Sequence, residues 1–136
     1  MKNRLFILSL IFVTLVSVSC SDEDEFDGLW EDNIKLSTKA VEFDANANSV
    51  VVTTEGKWWW ISCVTVDGKI YTIPASVHPN SCGYSINQDC FVVERRDENT
   101  LFISVDKNCM NKKRVICVGL EAGDYFDWVT VTQAGN

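Results

Sequence analysis

Val50-Val51-Val52-Thr53-Thr54 is the stretch that decides the fold, because five β-branched residues in succession favour a pleated strand. Glu55-Gly56-Lys57 then turns the chain, and an aromatic and β-branched run follows from Trp58 to Val66. That run ends at Asp67-Gly68, a dipeptide typical of hairpin turns, after which Ile70 to Ile73 forms the returning strand. Three strands in succession therefore form the middle of the domain.

The same alternation of short strands and turns continues towards both ends of the chain, and no segment of ten or more residues has a helical period. Seven or eight short strands predict an all-β sandwich. The remaining strand candidates are Ile34–Leu36, Val41–Asp44, Phe91–Glu94, Leu101–Val105, Arg114–Leu120 and Phe126–Gln133. Residues 74–89 contain both prolines of the chain and predict one long loop.

The N-terminus has the features of a secretory signal. Two basic residues precede an uncharged run from Leu5 to Val18, and Ser19-Cys20 ends the run. Its 14 residues are fewer than the roughly 20 that a membrane-spanning helix needs. We therefore expect a signal peptide over residues 1–19. Cys20 resembles the cysteine of a bacterial lipobox, which predicts lipidation there; the alternative is an ordinary signal peptide and an unmodified Cys20.

An acidic segment follows the predicted cleavage point. Residues 20–32 include Asp22-Glu23-Asp24-Glu25 and predict a solvated tether before a folded domain at 33–136. The segment resembles the acidic surface-export signal of Bacteroidetes lipoproteins, which implies an outer-membrane location facing the cell exterior. Cleavage would leave 10 basic and 19 acidic residues, a net charge of −9. Nucleic acid is then a poor partner, and we expect membrane attachment through lipid alone.

Several of these strands together resemble BACON domains, the Bacteroidetes-associated carbohydrate-binding modules. The resemblance rests on residues 41–45, on Val50–Thr53 before the tryptophans, on Asn108, and on the ending from Trp128 to Gly135 with its "VTQ". It implies an immunoglobulin-like sandwich that is exported and stands alone or beside glycan-degrading enzymes. A shared fold does not by itself carry function.

The sequence offers little catalytic chemistry. His78 is the only histidine, it lies among prolines, and no G-x-S-x-G elbow is present. His78, Cys82, Asp89 and Cys90 lack the tight ligand pairs of structural zinc. We therefore expect neither an enzyme, nor a metal site, nor a cofactor.

Five cysteines follow Cys20, so at least one of them is unpaired or pairs between chains. An oxidising compartment favours disulfides, and Cys82 with Cys90, which flank one predicted loop, is the simplest pair. Cys63 and Cys117 either form a second bridge or are buried thiols. Cys109, in a predicted loop, is the candidate for the odd cysteine.

The aromatic residues give the functional prediction. Alternate side chains of a strand point to opposite faces, so Trp59, Ile61 and Cys63 should form a core-facing row. Trp58 and Trp60 would then point outwards, and with Tyr71 they are the candidate glycan-binding residues. The alternative is that all three tryptophans cover the core.

Two functions remain open. The first is a surface lipoprotein that binds a polysaccharide or mucin glycan through its β-sandwich. The second is a structural or accessory subunit of an outer-membrane uptake or adhesion complex, whose partners are proteins and which binds no sugar. Exposed, coplanar aromatic side chains would favour the first function, and aromatics buried beneath the loop would favour the second.

Overall fold

A computed structural model describes residues 31–78 and 81–136 of the chain. The predicted signal peptide, Cys20 and most of the predicted tether lie outside the described residues. Within them every regular element is a strand, and no helix is long and apolar enough to cross a membrane. The strands are β1 (Ala40–Phe43), β2 (Asn48–Thr53), β3 (Trp60–Val66), β4 (Lys69–Tyr71), β5 (Tyr84–Gln88), β6 (Phe91–Arg95), β7 (Thr100–Val105), β8 (Arg114–Ala122) and β9 (Tyr125–Gln133).

Two sheets form the immunoglobulin-like sandwich that the sequence predicts. The five-stranded sheet has the order β1-β9-β8-β3-β4, and the four-stranded sheet has the order β2-β7-β6-β5. Within the described residues β1 pairs with β9 in parallel, and all other neighbouring strands are antiparallel. The all-β prediction is confirmed, and the described residues form nine strands where seven or eight were expected. The predicted strand at Ile34–Leu36 is wrong, because in this segment the structure has an isolated bridge between Leu36 and Thr54 and no strand.

The core lies between the sheets and takes alternate residues from each strand, as the period of two requires. In β9, for example, Val129 and Val131 are buried while Phe126 and Trp128 are exposed. The largest buried apolar side chains are Trp59, Phe91, Ile34, Ile61, Ile86, Leu101, Ile103, Ile116 and Leu120.

The predicted long loop at 74–89 is wrong in its second half, because β5 occupies Tyr84–Gln88 and pairs with β6. Ile86 is buried between polar neighbours, so the segment alternates although it is too polar overall to suggest a strand. The backbone N–H of Ile61 donates a 3.1 Å hydrogen bond to the Tyr84 hydroxyl, which ties the two sheets together.

A β-bulge corrects the predicted facing of β3. Trp59 and Ile61 are buried as expected, but the register with β8 shifts between Ile61 and Cys63. One extra residue reverses the alternation, so Val64 enters the core and Cys63 points outwards. Of the three residues predicted to face the core, Trp59 and Ile61 do so and Cys63 does not.

The "VTQ" ending has a structural role. Gln133 is completely buried, and its Nε2 donates to the carbonyl oxygens of Asn46 at 2.9 Å and Asp106 at 3.0 Å. Its Oε1 accepts a 3.1 Å hydrogen bond from the Arg114 guanidinium. A buried amide that satisfies main-chain carbonyls from two loops fixes those loops to the last strand.

Candidate functional site

A group of aromatic side chains lies on the outward face of the five-stranded sheet. We call this face the aromatic face. Strand register places them on adjacent strands, so their side chains lie side by side. Trp128 and Phe126 are 45% and 53% exposed, and Trp60 is partly exposed. The aromatic face comprises Trp60, Cys63, Gly119, Glu121, Phe126 and Trp128.

Trp128 packs across the main chain of β8 because its cross-strand partner is a glycine. A Cβ atom added at Gly119 would lie 2.6 Å from Cζ3 and 3.0 Å from Cε3 of the indole. Both distances are shorter than ordinary van der Waals contact, so only glycine admits the ring in this position. Gly119 is buried although its position points outwards. The indole therefore covers the glycine and leaves its other side to solvent.

Glu121 lies between two aromatic side chains. It is the register partner of Trp60 on β3 and of Phe126 on β9, which makes one rung across three strands. No hydrogen bond or ion pair within residues 31–78 and 81–136 engages its carboxylate. The rung thus combines two apolar rings with a free hydrogen-bond acceptor.

An open hollow of about 250 Å³ adjoins this rung. Its lining comes from β3 and β8 and from the loop after β4: Trp60, Ile61, Ser62 and Glu121, and Ile73, Pro74, Ala75 and Val77. The loop therefore turns the edge of the aromatic face into a groove with ring, hydroxyl and carboxylate groups in its wall.

The outward face of the four-stranded sheet is different. Its aromatic residue Phe102 is covered by the Arg96 guanidinium, whose carbon lies 3.7 Å from the ring centre. Arg96 is held in turn by a 2.9 Å ion pair with Glu94. The protein supplies its own partner to the aromatic ring of one face and leaves the rings of the other face uncovered.

The structure separates the three predicted glycan-binding residues. Tyr71 is the register partner of the buried Val64, and its ring meets Phe91 edge-on with centroids 5.2 Å apart. Tyr71 therefore faces the core, and its prediction as an outward residue is wrong. Trp60 lies on the aromatic face as predicted.

Trp58 is 78% exposed but precedes β3 and lies at a different hollow, of about 320 Å³. Beneath this hollow Arg95 is buried, with its guanidinium 4.5 Å from the ring centre of Trp59. Arg95 donates to the carbonyl oxygens of Lys57 at 2.8 Å and Ser81 at 3.1 Å. These contacts hold Trp59 and the start of β5 in place, which is a structural role.

The predicted bridge between Cys82 and Cys90 is wrong for this fold. Cys82 precedes β5 and Cys90 follows it, so a five-residue strand separates them. At about 3.3 Å per residue the two lie roughly 20 Å apart, whereas a disulfide needs Cα atoms within about 7 Å. Both are free, and Cys109 is free and exposed.

Cys63 and Cys117 are also free, and both point outwards from neighbouring strands. They are half-buried on the sheet surface, so they belong to neither a bridge nor the core. Burial raises the pKa of the Cys63 thiol, which keeps it neutral.

His78 is exposed after β4. In the described part of the chain, no three His, Cys, Asp or Glu side chains are grouped to hold a metal ion.

Sequence reasoning missed Phe126 and Trp128, although a signal was present. Val129 and Val131 form an alternating apolar pair that can face the core, and this facing places Phe126 and Trp128 on the outward side of the strand. A glycine inside a strand also marks a place where another group approaches the backbone, and Gly119 is such a residue.

Comparison with known proteins adds support for the fold. An NMR structure of a protein from Bacteroides thetaiotaomicron is similar, with a TM-score of 0.63 and 24% identity over 81% of this chain and 92% of that one. No protein-family profile matches the chain, and no curated protein is significantly similar to it. At this identity the likeness concerns the fold alone.

Proposed function

We propose that this protein is a lipid-anchored surface lipoprotein whose β-sandwich binds glycan chains on its aromatic face. The observation that carries the proposal is the exposed indole of Trp128 lying over Gly119, with Phe126 and Trp60 on the same face. Aromatic rings present an apolar surface on which the C–H faces of sugars can stack. The resemblance to BACON domains points to the same function.

Surface chemistry also favours a sugar over a purely apolar ligand. Hydroxyl-bearing Thr65 and Thr130 point outwards beside the rings, and the Glu121 carboxylate lies within the rung. Sugar ligands need both apolar contact and hydrogen-bond partners, and this face offers both.

The test uses the full chain, purified in detergent from cells that express it and applied to a panel of host and dietary polysaccharides. Trp128→Ala should weaken binding about tenfold, since one stacked ring contributes roughly 1–2 kcal/mol. Trp58→Ala is the matched control, because it removes an exposed indole from a different surface. Binding that depends on Trp58 and not on Trp128 would place the site at the other hollow.

The anchor is tested separately. Labelled palmitate should enter the wild-type protein but not Cys20→Ala. Equal labelling of both proteins would contradict the lipobox interpretation.

The second candidate function is the accessory subunit without sugar affinity. The exposed apolar side chains of the aromatic face favour it as well, since such patches also mark protein interfaces. It becomes the better explanation if the wild-type protein binds no glycan and co-purifies with a defined outer-membrane partner through Trp128.

A further inference from the structure

The charged side chains of the aromatic face indicate which class of glycan it would bind. Register places two charged side chains among the outward residues of this sheet in the described chain, and both are acidic: Glu121 on β8 and Glu42 on β1. Lys39, which directly precedes β1, is held by Asp127 at 2.7 Å and by Asp32 at 3.7 Å. Among the strand residues that the structure describes, this face therefore presents no cation to a carboxylate or sulfate group of a ligand.

Of these two acidic side chains, Glu121 is better placed to contact a glycan on the aromatic rings. It is the register partner of both Trp60 and Phe126, and it lines the hollow beside the loop after β4. An ionised carboxylate only accepts hydrogen bonds, and its bonds are the charge-assisted kind. A ring stacked on either aromatic would bring its hydroxyl groups to this acceptor.

We infer that the aromatic face selects uncharged glycan chains and that Glu121 is the residue that determines this preference. The inference rests on the proposed function. The Glu121 carboxylate accepts hydrogen bonds from sugar hydroxyls, and it repels the carboxylate or sulfate groups of acidic glycans. The ligand class is thus a neutral polysaccharide, in preference to a sialylated or sulfated mucin chain.

The experiment compares neutral polysaccharides with carboxymethylated or sulfated derivatives of the same polymers, using the full-chain protein in detergent. Wild type should bind the neutral member of a pair at least tenfold more tightly. Glu121→Gln keeps an acceptor but removes the charge, so it should weaken neutral binding about three- to tenfold and reduce the neutral-to-anionic ratio. Glu42→Gln, a matched change on the same face but away from the rung, should alter neither quantity.

Salt gives an independent readout. Added salt should improve binding of the anionic derivatives to wild type, because screening weakens repulsion between exposed charges. The same salt should improve binding of the anionic derivatives less in Glu121→Gln, where only the general negative charge of the chain is left to screen. A merely structural role of Glu121 would not produce this difference between the two proteins.

The outcomes separate the inference from the function it rests on. Trp128-dependent binding with equal or greater affinity for the anionic derivatives overturns the inference and leaves the proposed function intact. An unchanged neutral-to-anionic ratio in Glu121→Gln does the same. Failure of the wild type to bind any polymer, neutral or anionic, overturns both.

Discussion

Gly119→Ala tests whether the Trp128 indole really occupies the surface of β8. The new Cβ would meet two ring atoms at 2.6 and 3.0 Å and the Cys63 sulfur at 2.9 Å, so the ring edge must retreat by roughly 1 Å. Such crowding costs about 1–3 kcal/mol, while replacing a strand glycine by alanine returns about 0.5–1 kcal/mol. We expect a net loss of about 1 kcal/mol of unfolding free energy.

Urea denaturation of four proteins measures the effect: wild type, Gly119→Ala, Trp128→Ala and the double variant. Without the indole the two ring contacts are gone and the Cys63 sulfur, the end of a side chain, can move, so Gly119→Ala should be neutral or stabilising in the Trp128→Ala background. The cycle should yield a coupling free energy of about 1–2 kcal/mol. An equal cost of Gly119→Ala in both backgrounds would refute the packing of the ring over the glycine.

Three further predictions concern the rest of the domain. Gln133→Leu removes the Nε2 donor from the main-chain carbonyls of Asn46 and Asp106, of which Asp106 keeps its hydrogen bond from Arg114. It should lower the unfolding free energy by about 1–3 kcal/mol in urea denaturation, and an unchanged midpoint would contradict its structural role. Maleimide should label the exposed thiols of Cys82 and Cys109 first, and labelling of Cys63 should need a higher pH because burial raises the pKa of its thiol. Equal labelling rates of the three cysteines at neutral pH would contradict the burial of Cys63. Backbone hydrogen bonds lower the pKa of Asp32 below its ordinary value of 3.8, so the ionised carboxylate stabilises the fold above that pH and this stability is lost as the pH falls. Asp32→Asn should therefore make the unfolding free energy less sensitive to acid, and identical pH profiles of the variant and the wild type would exclude the effect.

The sandwich was predictable because β-branched runs and turns dominate the sequence outside the N-terminus. The extra strand was not, because β5 contains a single large aliphatic residue, Ile86, and its identity comes from pairing with β6. Such pairing is a tertiary effect, which strand propensity does not encode.

The site was harder to predict for two physical reasons. The bulge between Ile61 and Cys63 changes which residues of β3 face the core, and one inserted residue leaves no mark in composition. Trp128 also meets its partner Gly119, which is nine residues earlier, only across a strand pair, so no local pattern in the sequence links the two residues. The outward facing of Trp60 was predicted correctly because this residue precedes the bulge.

The Asp32–Lys39–Asp127 ion network has a mechanical consequence if the chain carries the proposed lipid anchor. It joins the point where the chain enters the domain to the residue between Phe126 and Trp128. The 13 residues from Cys20 to Asp32 reach at most about 45 Å when fully extended. If the aromatic face also binds a polymer as proposed, the pull of the anchor and the pull of the polymer would enter the domain at neighbouring points, which Lys39 joins through its ion pairs with Asp32 and Asp127.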